Sequence, residues 1–151
     1  MPSIEVLQQQ GWIKPTPISR QEIQLALERA YEEVAAAEQL LDRFPSSAYE
    51  LAYNAMLLAV TALLYSDGYR ARVERHHKTL TDFAEARLGT VEADVSSEFE
   101  RARRKRHRTI YGQAKATRRE AGYTVKVARR LIALVERLLR GDESSDSREK
   151  D

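Results

Sequence analysis

Cysteine is absent from the 151 residues. That excludes a disulfide framework and thiolate chemistry, and it points to a reducing compartment. Glycine and proline are scarce, at 6 and 4 residues. Few breakers and an excess of Ala, Leu, Glu and Arg favour helix, because these side chains lose little entropy on a helical backbone. No uninterrupted apolar run approaches the ~20 residues that cross a bilayer. The first residues lack a basic segment followed by an apolar one, the pattern of a secretory leader. The expectation is a cytoplasmic protein with no membrane partner. Strand alternation, hairpin turns and internal repeats are also missing. So are a glycine-rich phosphate loop and the strand-turn setting of a nucleophilic serine.

What is present is a chain long enough for one domain that buries roughly two thirds of its unfolded surface. The net charge is only +2, but it is unevenly placed. Residues 95–140 carry 14 basic and 4 acidic side chains, whereas residues 1–60 carry 4 and 8. A positive field confined to one third of the chain suits a polyanionic partner. It equally suits the basic face of an ordinary bundle.

Helical periodicity organises the rest. Ile4, Val6 and Leu7 form a short apolar piece, stopped by "GWIKPTP". Ser19 with Glu22 is a capping box that opens a helix expected to reach about Asp42, with Ile23, Leu27, Ala30, Val34, Ala37 and Leu41 on one side. Ser47 with Glu50 repeats the box and opens a helix that ends near Gly68. "LAYNAMLLAVTALLY" is apolar nearly all round, as the centre of a bundle requires. Ala48, Ala52, Ala55, Ala59 and Ala62 form a small-residue stripe for close helix approach. Asn54, expected to be buried, would bond to another helix or sit at a dimer contact. Tyr49, Tyr53, Tyr65 and Tyr69 read as core and rim packing. A shorter helix closes at Gly89, and Ser96 or Ser97 is expected to cap the basic helix that follows. Thr117 with Glu120 caps the last helix. Residues 1–140 form the domain, and 141–151 read as a disordered charged tail. The fold class is all-α, an up-and-down bundle of four main helices plus short ones.

Candidate chemistry is sparse. His76 and His77 are adjacent, so their side chains diverge by about 100° on a helix and do not share one metal. They read as structural or capping residues, and no metal or cofactor is expected. "FERARRKRHRTIYG" holds six cations between Arg101 and Arg108. Phe99, Ala102, Arg103, Arg106 and Ile110 share one side, so the stripe meant for the core carries two arginines. Buried unpaired guanidinium is costly, so this side faces acidic groups, a wet groove or a second subunit. Arg104 and Arg108 point elsewhere, with Arg101 near them. Acidic residues of the first helices, RNA or an acidic protein surface would offset this charge.

In order along the chain, "ALERAYEEVAAAEQLL", "AYELAYNAMLLAVTALLYSDGYRARVERHHKTLTDFAEARLG", "RARRKRHRTIYG" and "AGYTVKVARRLIALVERLL" resemble the HEPN family. These small helical domains are often encoded beside minimal nucleotidyltransferases. The resemblance covers about residues 4–140 and implies a helical bundle that usually forms a homodimer. Active members are metal-independent ribonucleases with an R-x(4–6)-H motif at the dimer cleft, and Arg101 with His107 spells R-x5-H. The resemblance then implies His107 as general acid/base and arginine as the group stabilising charge on the phosphate. Other members show Arg-Asn followed after a few residues by Tyr, a place that Arg106-His107 and Tyr111 occupy here. In that setting His107 takes a structural role. Arg103, Arg104, Lys105, Arg106, Arg108 and Tyr111 are then the residues for nucleic acid or a partner. The leading expectation is a non-catalytic subunit that binds nucleotide, RNA or a nucleotidyltransferase in a toxin–antitoxin-type module. An endoribonuclease toxin and a helical scaffold without a nucleic-acid role stand beside it.

Overall fold

The computed structural model describes residues 2–149, with side chains described for 2–141. Six helices and two short strands follow one another as α1 (Ile4–Gln9), β1 (Ile13–Pro15), α2 (Arg20–Leu40), α3 (Pro45–Ser66), β2 (Tyr69–Ala71), α4 (His76–Leu88), α5 (Ala93–Ile110) and α6 (Arg118–Glu149). The architecture is the expected all-α bundle of four main helices, α2, α3, α5 and α6, with shorter ones added. The expected tail, residues 141–151, coincides with the end of α6 and the residues past it. Residues 150 and 151 and the side chains of 142–149 lie outside the described part.

The centre is α3, which packs against α2, α4, α5 and α6. All five alanines of its small-residue stripe are fully buried, as are Tyr53, Met56, Val60 and Leu63. Small side chains at four- and three-residue spacing let the neighbouring helices approach its backbone. By length and composition α3 is apolar enough to cross a bilayer, although no uninterrupted apolar run in the sequence is that long. More than half of that stretch is buried against its neighbours.

Two capping boxes form as expected. Ser19 Oγ accepts from the Glu22 N–H, and the Glu22 carboxylate accepts from the Ser19 N–H. Thr117 and Glu120 exchange the same two bonds at 3.1 Å each. The third box does not form. α3 begins two residues before Ser47, at Pro45, with Phe44 as its uncapped N-terminal neighbour. Proline fits the first helical position because its missing N–H would have no helical acceptor. Nor does Ser96 or Ser97 cap the basic helix. α5 starts at Ala93, and Ser96 lies buried within its first turns with its hydroxyl bonded to the Ala93 carbonyl. Gly89 does follow α4, but with a right-handed φ of −61° rather than a left-handed one.

The strands are the element that sequence periodicity does not show. β1 and β2 pair antiparallel, with Ile13 opposite Ala71 and Pro15 opposite Tyr69. Three residues per strand are too few to display alternation, and Pro15 is tolerated because each strand is an edge. The ribbon ties the N-terminal segment to the turn after α3. Gly68 makes that turn at φ 90°, a conformation that costs a side-chain-bearing residue free energy.

Candidate nucleic-acid interface

Helical geometry divides the basic helix α5 into faces, and the structure shows what each face meets. Phe99 and Ala102 enter the core. Arg103, on the same side, folds back and makes two hydrogen bonds to Glu100 one turn earlier, at 3.0 and 2.7 Å. Lys78 of α4 adds a contact to Glu100 at 3.5 Å and reaches Asp82 at 3.1 Å. Arg75 closes the other side of Asp82 at 2.8 Å. The Arg103 hydrogen bonds hold the Glu100 carboxyl down at about 2. Lys105 bridges to Glu120 of α6, whose carboxyl is likewise held at about 2, chiefly by that bond.

For Arg103 and Lys105 the compensation is thus intramolecular, and it does not come from the first helices. None of the α2 acids reaches α5 among the described residues: Glu22 pairs with Arg70, Glu38 with Arg129, and Glu32 and Glu33 with Arg29 of α2 itself. Glu100 and Glu120, within and just beyond the basic segment, serve α5 instead.

Arg106 is treated differently. Its guanidinium lies over the Tyr53 ring, 5.4 Å from the centroid. Its Nε is buried and has no hydrogen-bond partner. The ring face supplies electrostatic attraction in place of a carboxylate. Tyr53 donates or accepts a 2.8 Å hydrogen bond with His77 Nδ1, and the two rings stack at 5.7 Å. Burial pushes the Tyr53 hydroxyl pKa upward. Burial also lowers the His77 pKa, helped by the charges of Arg106, His76 and Arg103. His76 contacts the Arg72 carbonyl at 3.3 Å. Sequence reasoning assigned these histidines no specific partner, since the partner of His77 lies 24 residues away on α3.

Arg106 also lines a cavity of about 300 Å³ with Ser47, Glu50, Leu51 and Asn54. Asn54 is half-buried there and makes no hydrogen bond among the described residues, so the expected bond to another helix is absent. Thr61 instead bonds to the Leu57 carbonyl of its own helix.

The opposite face of α5 is open. Arg101, Arg104, Lys105 and Arg108 line a groove of about 500 Å³ between α5 and α6, together with the carboxylates Glu85, Glu98, Glu100 and Glu120, with Tyr123 and Thr124 on the far wall. The side chains of Arg101 and Arg104 are 78% and 73% exposed. Arg101 has only a 3.8 Å contact to Glu98, Arg104 a 3.2 Å hydrogen bond to Glu100 from a largely exposed side chain, and Arg108 no ion-pair partner among the described residues. Screened surface contacts of this kind hold a cation weakly, so these guanidiniums are available to phosphate.

His107 lies on neither wall of that groove. Its exposed ring packs edge-on against Tyr111, with centroids 4.9 Å apart. Six positions of 100° put Arg101 and His107 about 120° apart around α5. Within one protomer they do not converge on one phosphate. Among the described residues, no group of three or more His, Asp or Glu is placed to hold a metal ion.

Comparison with known proteins follows the same boundaries. A family model described as HEPN domain matches residues 23–138, from the first turn of α2 into α6. No curated protein matches the chain. The match takes in every helix of the four-helix frame and both walls of the basic groove, and the chain belongs to the HEPN domain family.

Proposed function

We propose that this HEPN protein is a non-catalytic subunit that binds RNA through the α5–α6 groove. The observation that carries the reading is the row of Arg101, Arg104 and Arg108, spaced three and four residues apart on one exposed face of α5. Such a row neutralises successive phosphates and releases counterions, so affinity falls with salt.

The subunit works as a homodimer beside a minimal nucleotidyltransferase, in a toxin–antitoxin-type module. Support for self-association comes from the cavity at Arg106. Arg106 and Glu50 line it together, yet neither has an ion-pair partner among the described residues. Two copies related by a two-fold axis would satisfy both reciprocally, since residue i of one meets residue j of the other.

The deciding experiment measures binding of a labelled oligoribonucleotide across a salt series. The wild type shows a steep slope. The variant R101E/R104E/R108E binds more weakly, with the magnitude of its slope reduced by about 2, at ~0.7 per phosphate contact for a single strand. A flat wild-type slope removes the reading. RNA cleavage that survives chelator and disappears in His107→Ala replaces it with an endoribonuclease.

A further inference from the structure

The groove has an aromatic wall as well as a cationic one. Tyr123 of α6 is 51% exposed, although α6 buries Ala121, Thr124 and Val125 around it. Its ring has no ring partner and its hydroxyl no hydrogen bond among the described residues. Arg119 and Lys126 flank it at spacings of four and three, on the same stripe of α6. Both are exposed and have no ion-pair partner among the described residues. Tyr123 belongs to two cavities at once. It lines the α5–α6 groove opposite Arg101, Arg104 and Arg108, and it lines the neighbouring groove with Arg119 and Lys126.

We infer that Tyr123 is a base-stacking platform and that the groove selects single-stranded over duplex RNA. The inference rests on the RNA-binding reading above and deepens it. An exposed phenol between Arg108, with the weakly held Arg101 and Arg104 beside it, and the unpaired Arg119 and Lys126 has the composition of a single-strand site, where cations track the backbone and an aromatic face takes a base. Duplex RNA keeps its base faces within the stack and is met by shape and backbone contacts instead. The groove, at about 500 Å³, has the size of a small-molecule pocket, typically ~300–1,000 Å³. It has room for an unstacked nucleotide.

The test compares a labelled single-stranded oligoribonucleotide with a duplex of equal length, by fluorescence anisotropy at one salt concentration. Because Tyr123 is surface-exposed, Tyr123→Ala keeps the fold, which circular dichroism checks. The expected result is that Tyr123→Ala weakens single-strand binding about ten-fold, while Tyr123→Trp retains it. Duplex binding is weaker in the wild type and unchanged in Tyr123→Ala. Equal wild-type affinity for both RNAs, or no effect of Tyr123→Ala, overturns the stacking role while leaving the cationic groove intact. No binding of either RNA overturns the RNA reading itself. Poly-glutamate binding as tightly as RNA, and equally to wild type and Tyr123→Ala, reassigns the cations to an acidic protein and also overturns the inference.

Discussion

Replacing Tyr53 by Phe removes one oxygen from a buried stack and leaves the ring beneath Arg106 in place. The lost bond to His77 lowers stability by about 1 kcal/mol, read as a shift in the urea midpoint. His77 itself makes stability depend on pH. Its folded pKa lies below the usual 6.5, so between those values the unfolded chain binds more protons. Its contribution is therefore full above about pH 6.5 and is lost as pH falls below that value, levelling off beneath the folded pKa. His77→Gln flattens that limb in unfolding free energies measured from pH 7.5 to 5. Glu100 acts lower on the scale. Its carboxyl is held at about 2 against an ordinary 4.5, so its contribution is present above 4.5 and lost as pH falls toward 2. Glu100→Gln removes that lower limb, in the same measurement continued to pH 2. Neither group announced itself in the sequence. His77 takes its behaviour from burial and from Arg106 and Arg103 of α5, whereas Glu100 is held chiefly by Arg103 one turn along its own helix, with Thr81 and Lys78 of α4 adding to it.

Among the helices, local chemistry set most of the boundaries. Thr117→Ala deletes half of a capping box that is present and costs α6 about 1 kcal/mol in chemical denaturation. Ser47→Ala is near neutral in the same assay, because α3 already starts at Pro45 and Ser47 caps nothing. The contrast shows why α3's start was misread. A box pattern is only four residues long, and Pro45 supplied a competing start two residues earlier. The apolar periods of α2, α3 and α6 were legible because each extends over many turns. The ribbon of β1 and β2 was not, because its pairing joins residues more than fifty positions apart through backbone bonds that leave no mark on composition. At the centre of the bundle, Ala59→Leu inserts three carbons where α3 has no space, at a cost of about 1–3 kcal/mol.

At the scale of the whole molecule, charge plays two separable roles. Arg118 with Asp42 and Arg129 with Glu38 tie α6 to α2 and the turn after it, but all four side chains are more than a third exposed. Exposed pairs contribute little and are screened at high ionic strength. Phosphate binding loses its counterion-release drive over the same salt range. Raising salt from 0.1 to 1 M should therefore leave the thermal midpoint within a few degrees while abolishing RNA binding. Parallel thermal-melt and anisotropy titrations check this. A collapse of the melting temperature with salt would instead make the ion pairs the main support of the fold.

Composition and periodicity sufficed for an all-α chain, the order of its main helices, the burial of α3 and the concentration of positive charge on α5. Those properties follow from periodicity and capping, which act over a few neighbouring residues. The tertiary structure alone decided which cations are engaged and which are open. It set Lys105 against Glu120, laid Arg106 over Tyr53, joined Tyr53 to His77, and left Arg101, Arg104 and Arg108 facing Tyr123 across a groove. The reason is physical. A charged side chain takes its partner from whatever packs beside it, which is the adjacent turn for Arg103 but a separate helix for Lys105 and Arg106.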